Sequence, residues 1–229
     1  MGIRRGSIST PIIADGLVFN MDAANRASYI PYATSSFNTL DLTQSGSFIS
    51  DPTFITQPVS ASCWAFDGVD DYIDLSTTIN LTENSTVLFW MKRKDESTGN
   101  DVQLGSTTYS WGYLFSIIQG GPTTEAYVRI GSNYVAFDND SLNLPIGEWS
   151  QIGFTREGTT FKEYQDGVEK SEKTNASISG DTLFDRIFRA GGSWNYYVNG
   201  ELSNLIGYNR TLSANEVLHN YNALKGRFS

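Results

Sequence analysis

Apolar residues along most of this chain recur at every second position, the period of a half-buried strand, in short runs broken by Gly, Asn and Asp. Leu17-Val18-Phe19-Asn20-Met21-Asp22 follows an Asp15-Gly16 turn and predicts a strand. Over residues 85–92, Val87, Phe89 and Met91 face one way while Leu88 and Trp90 face the other. A strand apolar on both faces belongs in the middle of a sheet. Further strands are predicted at 112–118, 125–131, 134–137, 149–156, 160–165, 187–190 and 201–208. The last of these would set Leu202, Asn204 and Ile206 against Ser203, Leu205 and Gly207 on opposite faces. Asp166-Gly167 signals a hairpin turn before Val168, because Gly accepts positive φ without a Cβ clash.

Residues 23–47 are polar and predict a long loop, anchored by Tyr29, Tyr32, Phe37, Leu40 and Leu42. The period lengthens to that of a helix at 213–224. Ser213 is the N-cap there and Glu216 completes a capping box. Val217, Leu218, Tyr221 and Leu224 form its apolar stripe, with His219 off it, and Gly226 takes the C′ position. Residues 1–14 carry no period and read as an extended N-terminal arm; 15–229 read as one domain. Many short strands and one late helix make an all-β sandwich the expected class.

Composition narrows the function. With 25 acidic and 16 basic residues the net charge is −9, which disfavours nucleic acid and anionic membrane as partners. It is compatible with Ca²⁺ or neutral sugars. The single cysteine, Cys63, excludes an internal disulfide and lies in an apolar run. The single histidine, His219, leaves a Ser–His triad one possible base. No run approaches the roughly 20 apolar residues of a membrane span, and the basic Met1-Gly2-Ile3-Arg4-Arg5-Gly6 start is not followed by the apolar core of a secretion signal.

Candidate chemistry gathers at Phe66-Asp67-Gly68-Val69-Asp70-Asp71-Tyr72-Ile73, read as a hairpin around Asp67-Gly68. Asp67, Asp70 and Asp71 repel one another unless backbone N–H groups, a base or a hard cation compensates them. A catalytic role finds little support. Asp70 and Asp71 would face opposite ways in a strand, as would Glu169 and Glu172, which lie in a charged segment. The loop aromatics Tyr109, Trp111, Trp194, Tyr196 and Tyr197 are candidates for a carbohydrate platform, since sugar C–H faces dock on aromatic rings.

Four pieces in order carry a resemblance. They are Gly16-Leu17-Val18-Phe19-Asn20-Met21-Asp22-Ala23-Ala24-Asn25; the Phe66 to Ile73 segment; Trp149 to Arg156 followed by Tyr164-Gln165-Asp166-Gly167; and Gly200-Glu201-Leu202 through Tyr208-Asn209-Arg210-Thr211-Leu212-Ser213-Ala214-Asn215-Glu216-Val217. Over about 15–228 the chain resembles laminin-G-like domains of the concanavalin A-like lectin/glucanase superfamily. The variety, including its Asn220 to Phe228 ending, looks like that of tailed-phage virion proteins. The resemblance implies a jelly-roll of two curved antiparallel sheets with a short C-terminal helix. It also implies a structural Ca²⁺ ion, with Asp22, Asp67, Asp70 and Asp71 as matching candidates. Ser203 stands where related sequences often carry Asp, which removes a carboxylate from that set. The paired-carboxylate strand of the superfamily's glucanases is absent. The expected function is a non-enzymatic accessory virion protein, a head decoration or tail/fibre component, bound to other virion proteins or to itself. The alternative is a lectin-like module for host-surface glycans.

Overall fold

The computed structural model describes residues 11–56, 62–94, 100–119 and 124–228, so most of the predicted arm lies outside the described residues. Two eight-stranded antiparallel sheets face each other. The first contains β1 (Leu17–Asp22), β4 (Thr53–Ile55), β5 (Cys63–Asp67), β7 (Asn84–Arg93), β12 (Trp149–Glu157), β13 (Thr160–Gln165), β14 (Val168–Thr174) and β16 (Asn199–Tyr208). Its order is β14-β13-β12-β7-β16-β5-β4, with β1 also paired to β16. The second contains β2 (Ser35–Asn38), β3 (Asp41–Ile49), β6 (Tyr72–Leu81), β8 (Asn100–Gly105), β9 (Tyr113–Gln119), β10 (Thr124–Ile130), β11 (Asn133–Ala136) and β15 (Thr182–Ile187). Its order is β11-β10-β9-β8-β15-β6-β3-β2. The expected all-β sandwich with one short C-terminal helix is the architecture observed.

The core fills the space between the sheets. Phe19, Met21, Val87, Phe89 and Phe154 from the first meet Ile73, Leu104, Phe115, Ile117 and Phe184 from the second. Each fully buried side chain of this size stabilises the fold by about 1.5–3 kcal/mol. Strand β7 is central as predicted, and both of its faces are covered. Leu88 packs outside with Tyr164, Ile206, Tyr208, Leu212 and Val217 beneath helix α1 (Ala214–Leu224). Trp90 lies under Phe228 and Tyr221, stacked at 4.1 and 5.5 Å between ring centroids. The Ser213–Glu216 capping box is formed, and Arg210 clamps Glu216 with two N–H bonds of 2.6 and 3.1 Å.

Several expectations fail for identifiable reasons. The 23–47 loop contains β2 and the start of β3; its inward positions are polar but bonded, as in Ser36 to the Ser28 carbonyl and Asn38 to the Val18 carbonyl. The strand predicted at 187–190 runs earlier, over Thr182–Ile187, where buried Asp185 disguises the pattern. A bulge between Leu202 and Asn204 puts Leu202 and Leu205 in the same core, not on opposite faces. A second irregularity pairs Glu163 with Ser171 but Tyr164 with Glu169, and it brings Glu169 and Glu172 together on Lys162 at 3.1 and 3.0 Å. Gly226 does not reverse the chain: the helix tightens into a 3₁₀ turn over Lys225–Arg227. Phe66 to Ile73 is no hairpin, because β5 and β6 belong to different sheets and the Asp-rich turn crosses between them.

Candidate functional site

The outer face of the second sheet carries an aromatic groove. In β10, Ala126, Val128 and Ile130 point into the core, so Tyr127 and Arg129 point outward. Tyr134 of β11 stands directly opposite Arg129 in register. Tyr113 of β9, Trp111 and Tyr196 complete a groove of about 380 Å³. That volume lies in the range of small-ligand sites, about 300–1,000 Å³.

Two loops bring the tryptophans together. Gly112 accepts hydrogen bonds at its carbonyl from the Ser106 and Gly191 N–H groups. A Cβ on Gly112 would stand 2.2 Å from the Gly191 oxygen, and one on Gly191 would stand 2.5 Å from Ser106, so only glycines permit this approach. Trp111 itself sits at φ 67°, in the left-handed region. Such strain in a non-glycine residue costs about 1–3 kcal/mol and is a reason to look for function there. The result is a stack of Trp111 on Trp194 at 5.2 Å and 16°, and of Trp194 on Tyr196 at 5.7 Å and 12°. Trp111 is 54% exposed and Tyr134 47%. Between them lies the Arg129 guanidinium, 5.9 Å from the Trp111 ring and 5.0 Å from each of Tyr113 and Tyr134.

Of the aromatics proposed from sequence, Trp111, Trp194 and Tyr196 are therefore brought together. Tyr109 and Tyr197 are not. Tyr109 is buried; its hydroxyl donates to the Asp181 carbonyl and accepts from the Leu183 N–H, and burial raises its pKa. Tyr197 packs instead with Tyr72 and Arg189. Sequence reasoning missed Tyr113, Tyr127, Arg129 and Tyr134. The alternation Tyr127-Val128-Arg129 in a predicted strand was the signal that two of these share a face.

At the Asp-rich turn, Gly68 adopts φ 77°. Asp67 Oδ1 accepts from the Val69 and Asp70 N–H groups at 2.8 and 3.3 Å, and these bonds hold its carboxyl below the usual range. Asp71 Oδ2 accepts from the Asp67 N–H at 3.1 Å. Burial, with the neighbouring Asp67 and Asp70 charges, pushes the Asp71 carboxyl up to about 6. Asp67, Asp70 and Asp71 each offer an oxygen within 4.8 Å of the others. Neither Asp70 nor Asp71 is in a strand, so the condition under which they would face opposite ways is not met, and the turn gathers them. Such an all-oxygen set suits a hard cation. Asp22 is not part of it. Its two carboxylate oxygens accept from Arg227 at 2.8 Å each, an ion pair that fastens the C-terminal turn to β1.

Among the described residues the remaining carboxylates form no reactive pair in the groove. Glu169 and Glu172 are engaged by Lys162. Glu163 is fully buried with no hydrogen-bond partner for either carboxylate oxygen, and burial pushes it up to about 7. His219 Nε2 meets the Pro11 carbonyl at 2.9 Å. Among the described residues no helix is long and apolar enough to cross a membrane.

No curated protein matches the chain. Solved structures do. Trypanosoma rangeli sialidase in complex with sialic acid aligns at TM-score 0.66 and 14% identity over 96% of this chain, which spans 36% of that protein's length. Domain 4 of AbnA, a GH43 extracellular arabinanase from Geobacillus stearothermophilus, in complex with arabinotriose, aligns at TM-score 0.66 and 16% identity. That alignment covers 90% of this chain and 98% of the arabinanase domain. At such identities the likeness is one of fold. Residues 67–218 match the Laminin_G_3 family, from the Asp-rich turn to the start of helix α1. By that match and by its paired sheets, the chain belongs to the concanavalin A-like lectin/glucanases superfamily.

Proposed function

We propose that the protein is a non-catalytic glycan-binding module whose site is the groove around Trp111, Tyr134 and Arg129. The observation that carries this reading is the pair of exposed rings, held by strained and glycine-locked backbone, flanking a guanidinium donor. Rings supply the flat apolar surface for sugar C–H faces and Arg129 supplies hydrogen bonds to oxygen. The arabinanase domain solved with arabinotriose is a fold relative of similar extent, which supports the reading by analogy. A broad glycan array, followed by calorimetry on the best ligand, tests it. Trp111→Ala should weaken binding by about tenfold or more, equivalent to about 1.4 kcal/mol. A flat array in the presence of Ca²⁺ would defeat the proposal.

The Asp67–Asp70–Asp71 turn is proposed as a Ca²⁺ site of structural kind. A cation there would relieve the mutual repulsion of the carboxylates, so Ca²⁺ should raise the melting temperature at pH 7 and Asp71→Asn should abolish the gain. Identical melting curves with Ca²⁺ and with chelator would leave the turn held by its own hydrogen bonds. The virion setting rests on the resemblance of the Asn220 to Phe228 ending, the segment that covers Trp90. An accessory virion protein that also holds surface glycans would unite both readings. Its absence from the mass-spectrometric inventory of purified particles would remove the virion setting and leave the glycan site untouched.

A further inference from the structure

We infer that the groove selects acidic glycans, with the carboxylate of a sugar acid received by Arg129; this rests on the glycan-binding reading above. Arg129 differs from the other arginines whose ion pairs are described. Arg186 meets Asp74, Arg210 meets Glu216 and Arg227 meets Asp22. The bonds of Arg129 go to the Ser132 carbonyl at 3.1 Å and the Tyr113 hydroxyl at 3.3 Å, and its Nε has no partner. A guanidinium has five N–H donors, so part of the fork is unspent. The side chain is only 6% exposed, yet it lines the groove.

Removing a cation from water without a counter-ion is costly. Three rings within 6 Å offset part of that cost through their π faces. They do not neutralise the charge. Glu125, two positions before Tyr127 on the same face, does not pair with it either; burial first, then the Glu125 carboxylate, raises the Tyr127 phenol's pKa. The groove therefore holds a fixed positive charge, walled by apolar rings, on a chain of net charge −9. Low-dielectric walls strengthen a charge of this kind toward a ligand that replaces the water. A planar carboxylate matches the guanidinium fork in a way a hydroxyl does not. The long-range field of an acidic protein repels anions, so an acidic ligand that binds must do so through a local contact.

The test compares oligosaccharides containing uronic or sialic acids with the same oligosaccharides after carboxyl reduction, by calorimetry on the intact protein. The acidic forms should bind at least about tenfold more tightly. Their advantage should shrink as salt is raised. Arg129→Gln should erase the difference by weakening the acidic form far more than the neutral one, and Arg129→Lys should retain only part of it. Trp111→Ala should weaken both forms alike. Equal affinity for acidic and reduced forms would overturn the inference and leave the glycan reading standing. Binding of sulfated oligosaccharides in preference to carboxylates would overturn the choice of carboxylate. Failure of every form to bind would remove both readings. Because the ligand is altered as well as the protein, misfolding of an Arg129 variant would not decide the matter.

Discussion

Replacing Gly191 by Ala separates the geometry of the aromatic stack from the chemistry of its rings. The Gly191 φ lies outside the left-handed region, so alanine meets no dihedral penalty there and only its Cβ matters. That carbon would stand 2.5 Å from the Ser106 carbonyl carbon and oxygen and 2.6 Å from the Thr107 nitrogen. All three are backbone atoms, so a loop must move by nearly 1 Å to reach ordinary contact. Overpacking of this kind costs about 1–3 kcal/mol. The Gly191 N–H bond to the Gly112 carbonyl is strained or lost, adding about 1 kcal/mol. A total near 2–4 kcal/mol should lower the melting temperature by about 5–15 °C in a domain of this size. The near-UV circular dichroism of the Trp111–Trp194 pair should weaken, and glycan affinity should fall with it. Gly192→Ala is the control. Gly192 has φ +69° but nothing within 4 Å of its Cβ, so it should lose about 1–2 kcal/mol of stability with the stack and the binding intact. A Gly191→Ala protein with unchanged melting, tryptophan signal and affinity would refute the argument that glycine contact builds the site.

Asp71 should make stability fall as pH rises. Its folded pKa, about 6, lies above the unfolded value near 4, so the folded state holds the extra proton between them; the stabilisation, at most about 3 kcal/mol, is full below about pH 4 and lost through pH 6. Asp71→Asn should flatten that slope in urea titrations across the window, and an unchanged slope would contradict the assignment. Glu163, raised to about 7 by burial, acts in the same direction over a higher window; the Ser141 hydroxyl, near it but outside bonding geometry, eases little of the charge. Glu163→Gln should therefore raise stability by about 1–3 kcal/mol at pH 8 and by almost nothing at pH 4; a loss at pH 8 would mean the carboxylate is compensated after all. Phe228→Ala removes the ring stacked on Trp90 and packed 4.9 Å from Trp149, and should cost about 1–3 kcal/mol in denaturant melts.

Sequence pattern made the central strand and the capped helix legible because their signals are local. Val87, Phe89 and Met91 alternate with Leu88 and Trp90, and the Ser213–Glu216 box lies within one turn. Strand β2 was hidden because its buried positions are Ser36 and Asn38, whose burial is made tolerable by hydrogen bonds to residues outside the strand, and β3 because its one fully buried residue is Gly46, which carries no side chain to mark the alternation. The bulge in β16 was invisible for a similar reason: one extra residue flips the alternation without changing composition. Asp67-Gly68 read as a hairpin because turn chemistry reports the local reversal and not the sheet to which the next strand goes. The site was half legible. Trp111, Trp194 and Tyr196 stood out as loop aromatics, whereas Arg129 and Tyr134 became neighbours only through strand register.

The two outer faces of the sandwich have different occupations. Helix α1 lies over the first sheet, where His219 and Asn220 also hold Pro11 and Ile13 by hydrogen bonds. Phe228 rests against Trp90 of the same sheet. The groove opens on the far side of the second sheet, with the whole core in between. A bead, chip or larger particle coupled through the C-terminal end therefore sits behind the molecule, and the tryptophans look away from it. Immobilised in that orientation, many copies would present a lawn of grooves outward, and weak single-site contacts would add into avid retention on a multivalent surface.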